Sequence, residues 1–124
     1  MIVYERTETL FCADTNCWIA FLAGDDADDV RYLRVAIEEQ AIVMAPIVLA
    51  ELLSWPSFRR NAENGLASLP SRPLSAEYWV NSGRLRAKMF RKGMRPRLMD
   101  TLIAQFCIEH ELILLTRDKG LEAF

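Results

Sequence analysis

The chain has little of what zinc sites, disulfide frameworks and membrane spans are made from. It carries one histidine and three cysteines. Cys12, Cys17 and Cys107 are odd in number, sit in apolar sequence and lack CxxC spacing, which reads as core thiols in a reducing compartment. A structural or catalytic zinc site is excluded on the same ground. No segment approaches eighteen uninterrupted apolar residues, and the leading MIVYERTETL has no long apolar stretch, so neither a signal peptide nor a membrane span is expected. The expectation is a cytoplasmic protein without a membrane partner. An excess of basic charge is also missing: the net charge is -2. That excludes a uniformly basic nucleic-acid binder and leaves a local site open. No repeat, low-complexity tract or Pro/Gly/Ser linker divides the chain.

What is present is enough apolar material for one core. With 124 residues, 52% of them hydrophobic, a single domain spanning 1–124 is expected. Short apolar runs alternate with longer amphipathic ones. Leu10 to Ala13 reads as a strand and Thr15 to Ala23 as a helix that Gly24 ends. Val30, Leu33 and Ile37 then recur at helical spacing. Ala41 to Ala45 reads as a second strand, and Pro46 suits the first turn of a helix that carries Glu51 and stops before Pro56. A helical piece over Phe58 to Asn64 and a weak strand over Leu66 to Leu69 follow. Ser75 to Lys92 reads as a helix closed by Gly93, Met99 to His110 as another, and Leu112 to Leu115 as a last buried strand. Alternation of strand and helix predicts an α/β fold with a parallel sheet, because parallel strands need crossover connections.

Four acids stand beside apolar runs: Asp14 in LFCADTNCWIAFL, Glu51 in IVLAELLSW, Asp100 in LMDTLIAQF and Asp118 in LILLTRD. Taken singly, Asp14, Asp100 and Asp118 also suit helix caps or first-turn acids. Glu51 lies well inside its helix and is no cap. In an open α/β sheet, ligands bind beyond the carboxyl ends of the strands, where the sketch places all four. Like charges about 4 Å apart repel by roughly 4 kcal/mol at an effective dielectric near 20, so a shared cleft needs protons or a cation. Oxygen-only ligation suits Mg²⁺, with Mn²⁺ as substitute. The chemistry implied is metal-dependent phosphodiester hydrolysis.

Asp14-Thr15-Asn16 after the first strand, PIVLAEL with Glu51, MDTLIA with Asp100, and LLTRD with Thr116 and Asp118 together resemble the PIN-domain nucleases. Their order and spacing are similar to the VapC-type toxin ribonucleases of bacterial toxin–antitoxin pairs. The resemblance implies a Rossmann-like α/β/α sandwich, a parallel sheet with helices on both faces. It implies that Asp14, Glu51, Asp100 and Asp118 bind Mg²⁺, with Thr15, Asn16 and Thr116 in support. It further implies an RNA substrate cut to 5′-phosphate and 3′-hydroxyl ends, a homodimer and a cognate antitoxin. Two departures are the leading MIVYERTET before the first motif and Lys119-Gly120-Leu121 after the last.

Cations are concentrated in one place. Seven of the chain's 15 Lys and Arg lie between Arg84 and Arg97 with no acid among them. Arg84, Lys88 and Arg91 share a helical face and are candidates for binding the RNA backbone, the alternative being a solvated face. Asp25, Asp26, Asp28 and Asp29 read as a solvated helix entry. His110 reads as a surface residue near a helix end, and Trp18 and Trp79 as core or dimer surface. Trp55 and Phe58 suit a groove for a partner peptide. A different class of function, a non-catalytic α/β module whose acidic crevice binds a cation and regulates a protein, also fits the acids. A phosphoacceptor receiver fits less well, for no adjacent acid pair accompanies Asp14.

Overall fold

A computed structural model describes residues 9–55, 60–118 and 124. Strand β1 (Phe11–Ala13) runs into helix α1 (Thr15–Leu22), and Gly24 leaves that helix with φ +80°, a conformation that costs glycine little. Helix α2 (Asp28–Glu38) buries Val30, Leu33 and Ala36 and exposes the opposite side. Helix α3 (Pro46–Leu53) opens on its proline, whose missing N–H is no loss at a first turn. Helices α4 (Arg60–Ala67), α5 (Tyr78–Arg91) and α6 (Leu98–His110) follow, and strand β2 (Ile113–Leu115) comes last. No described helix is long and apolar enough to cross a membrane.

β1 and β2 pair in parallel, with Phe11 opposite Ile113, Cys12 opposite Leu114 and Ala13 opposite Leu115. On its other edge β1 meets the segment predicted as the second strand. Phe11 N–H donates to the Ala41 carbonyl and Val43 N–H to that of Phe11, both at 2.8 Å. That segment forms an isolated parallel bridge at Ile42 and not a full strand. Its next amide, Met44 N–H, donates to Pro70 at 2.7 Å, and the chain enters α3 directly. The helices α2 and α6 pack on the strands, α1 on α2 and α3, and α5 on α6. This is the expected α/β arrangement of helices around a parallel sheet.

Residues 101–107 of α6 are all buried. A helix buried all round is apolar all round, so LMDTLIAQF reads as it does because α6 is the central helix of the core. Trp18, Tyr78 and Phe106 are the largest side chains in that core, and the three cysteines are free and buried. Trp79 is exposed.

Two predicted elements differ. Leu66 to Leu69 is not a strand: Leu66 and Ala67 end α4, while Ser68 and Leu69 turn out of it through bonds to the Asn64 and Leu66 carbonyls. An apolar run this short has no periodicity to separate strand from helix. Leu66 docks an otherwise mostly exposed helix into the core. α5 begins at Tyr78 and not Ser75, because Tyr78 N–H closes a turn on the Ser75 carbonyl. Phe58, the leading residues 1–8 and Lys119-Gly120-Leu121 lie outside the described residues.

Candidate active site

The register of the two strands places the first acid. Beyond the Ala13–Leu115 pair the next residues are Asp14 and Thr116, and Asp14 N–H donates to the Leu115 carbonyl at 3.0 Å. Asp14 Oδ1 accepts the Cys17 N–H at 2.8 Å, capping α1, while Oδ2 accepts the Thr116 hydroxyl. Each oxygen therefore has a donor before any ligand arrives. The Thr116 oxygen in turn accepts Asp118 N–H at 2.9 Å. A single hydroxyl thus ties the chain after β2 to the carboxylate after β1.

The second acid arrives from α3. Glu51 sits on the turn of that helix facing α1, and its Oε1 accepts the Thr15 hydroxyl at 2.6 Å. The third stands in the first turn of α6, where the helix N-terminus favours negative charge. Asp100 is gripped there by Arg97, with Nε to Oδ2 at 3.1 Å and the terminal nitrogen to Oδ1 at 3.3 Å. The same guanidinium lies 3.7 Å from Asp118.

Asp14, Glu51, Asp100 and Asp118 line one open pocket of 160 Å³ together with Thr15 and Asn16. Met99 and Ile103 of α6 form its apolar wall, and Trp55 and Arg97 its remaining lining. Asp14 is 3% exposed. Burial pushes its carboxyl above the usual range, against the pull of Thr116 and Cys17, and the nearby charges of Asp118 and Asp100 push it further. Asp100 foremost, with Asp118 and Glu51 behind it, holds the Arg97 guanidinium more firmly protonated than usual. Among the described residues, four carboxylates thus face a single guanidinium in the pocket.

A divalent metal fits the donors available. Carboxylate and amide oxygens suit Mg²⁺ or Mn²⁺, which keep several waters, and no imidazole or thiol lines the pocket to suit zinc. Among the described residues no three acids stand together as a finished coordinating group. An ion held here would rest partly on water and partly on side chains drawn toward it.

The cations predicted to track RNA are elsewhere. Arg84, Lys88 and Arg91 are exposed on α5, make no ion pair among the described residues, and none lines the pocket. Arg97 was not singled out by sequence, although it stands one helical turn before Asp100, the spacing at which opposite charges meet. Trp55, expected in a peptide groove, borders the acids. The acids at the entry to α2 are not merely solvated: Arg117 reaches Asp29 in its first turn at 2.9 Å and Asp25 before it at 3.4 Å, and so points away from the pocket. His110 is half-buried at the end of α6: its ring lies tilted against Phe106 with centroids 4.8 Å apart, and its Nε2 is buried without a hydrogen-bond partner among the described residues.

The sequence profile of the PIN domain matches residues 11–124. No curated protein sequence matches the chain. Among solved structures, the fold is similar to a chain of VapBC2 from Rickettsia felis bound to a promoter DNA fragment. The TM-score is 0.73 at 24% identity, covering 94% of this chain and 93% of that one. It is also similar to a chain of DNA-bound VapBC from Salmonella typhimurium, with TM-score 0.70, 21% identity and coverage of 93% and 92%. FitAcB from Neisseria gonorrhoeae gives TM-score 0.66, 20% identity and 90% coverage of both chains.

Proposed function

The chain belongs to the PIN domain family, and from that membership and the acidic pocket we propose that it is a Mg²⁺-dependent endoribonuclease of the VapC-like toxin type. One observation carries the reading. Acids 14, 51, 100 and 118, supplied by the end of β1, α3, α6 and the segment after β2, line one pocket. Structural roles explain Asp14 as a cap, Asp100 as a first-turn acid and Glu51 as the acceptor that ties α3 to Thr15, but none explains their common address.

Asp14 and Asp100 would hold the principal ion, and Glu51 and Asp118 would complete the site. When bound, Mg²⁺ or Mn²⁺ supplies neutralisation of phosphodiester charge and a more acidic water. The protein's own part is positioning. Thr15 fixes Glu51, Thr116 fixes Asp14, and the Cys17 amide holds the other Asp14 oxygen. Asn16, exposed in the pocket lining, would meet the sugar or phosphate of an RNA strand. The Arg84, Lys88 and Arg91 face of α5 offers charge to the strand beyond the cleavage point.

Solved structures similar to this chain include DNA-bound VapBC2 and DNA-bound FitAB. A cognate antitoxin as partner, a homodimer and a cytoplasmic location complete the proposal. The decisive experiment incubates purified protein with labelled RNA in Mg²⁺, Mn²⁺ or EDTA. Cleavage that appears with either ion and stops in EDTA supports the enzyme. RNA left intact under all three conditions favours a non-catalytic module.

A further inference from the structure

Among the described residues, Arg97 is the one cation that lines the acidic pocket. Its fork lies on both oxygens of Asp100 at 3.1 and 3.3 Å and stands 3.7 Å from Asp118. The Arg97 side chain is 72% exposed, whereas those of Asp100 and Asp118 are 15% and 32% exposed, so the guanidinium covers the acids from the solvent side. Its backbone is anchored, because its carbonyl accepts both the Thr101 N–H and the Thr101 hydroxyl at 3.1 Å. Moving the guanidinium therefore requires only breaking its contacts with Asp100 and Asp118 and turning side-chain torsions.

We infer that Arg97 is a resident counter-cation of the pocket, displaced from Asp100 and Asp118 by the divalent ion and then free to grip the substrate phosphate. The inference rests on the metal-dependent reading above. The physical ground is competition for lone pairs: oxygens bonded to a guanidinium are not available in the same direction to a metal, and the two cations repel. A planar guanidinium fork suits phosphate as well as it suits carboxylate. Arg97 therefore limits self-repulsion in the empty pocket and acquires a second role once an ion has entered.

The test is calorimetric titration of the full chain with Mn²⁺, comparing wild type, Arg97→Gln and Arg97→Lys, followed by RNA cleavage at saturating Mn²⁺. Arg97→Gln should bind Mn²⁺ about twofold to fivefold more tightly, the size expected for losing a competing, largely exposed ion pair. Its KM for RNA should rise by roughly tenfold with a smaller change in kcat, and lysine, a point charge without the fork, should recover part of that loss. Unchanged or weaker Mn²⁺ binding by Arg97→Gln overturns the competition. Tighter Mn²⁺ binding with unchanged KM overturns the phosphate grip. Mn²⁺ binding by neither wild type nor Arg97→Gln removes the metal site itself, and the inference with it. Because Arg97 is exposed, circular dichroism should show all three proteins equally folded.

Discussion

The hydroxyl of Thr116 donates to Oδ2 of Asp14 across 102 positions of sequence. The contact exists because β1 and β2 pair in one register, and it opposes the effect of burial on the Asp14 carboxyl. Thr116→Val keeps the shape and removes the donor. It should lower metal affinity or RNA cleavage by about tenfold to a hundredfold, the usual cost of losing a group that orients a metal ligand, and Thr116→Ser should restore most of it. Cleavage by Thr116→Val within twofold of wild type would show that Asp14 needs no such support.

Asp100→Asn changes one oxygen to an amide in the first turn of α6. Cleavage should fall by more than about a hundredfold. Stability, measured by urea unfolding, should stay within about 1 kcal/mol of wild type, since relief of repulsion on Asp14 offsets the lost pair with Arg97. A folded Asp100→Asn protein of normal activity counts against the assignment of this acid.

The α5 face makes a separate prediction, because none of its cations touches the acidic pocket. Reversing Arg84, Lys88 and Arg91 to Glu should weaken RNA binding. If each side chain neutralises one phosphate, the slope of log affinity against log salt should shrink by about 2, at roughly 0.7 per single-strand contact. The unfolding midpoint should move little, as all three side chains are exposed. An unchanged salt slope would assign this face to solvent.

The clamp of Arg117 on Asp29 gives a pH signature away from the pocket. The Arg117 guanidinium holds the Asp29 carboxyl below its ordinary value of 3.8. A lowered folded-state value means stability that is present above the unfolded value and lost as pH falls through the folded one. Asp29→Asn should therefore cost about 0.5 to 1 kcal/mol near neutral pH, the upper part of the range for ion pairs at a protein surface, since this pair is partly covered. The cost should fade as pH drops below about 3.8. Urea unfolding at neutral pH and at the lowest pH where the fold persists checks this, and a cost independent of pH would locate the effect in packing.

Much of the architecture was legible because its signals are local. An apolar run followed by Asp14 and a helix-forming stretch predicted β1, the cap and α1. Pro46 and Gly93 marked the start of α3 and the end of α5 through their own backbone limits. The segments that were misread are those where local signals run out. Leu66 to Leu69 is too short to have a period, and Ala41 to Ala45 is extended but finds only an isolated bridge beside β1. Lacking any other explanation in its helix, Glu51 was the strongest pointer to a shared site.

Sequence by itself determined which acids were available and that no histidine or cysteine set competed for the role. Tertiary structure decided which cation stands among them. Arg97 and Arg117 read alike in the chain, each an arginine close to an acid. Packing turns one toward Asp100 and the other toward Asp29, for a long charged side chain takes its partner from whatever the fold brings within reach, and that distance is written in no local stretch of sequence.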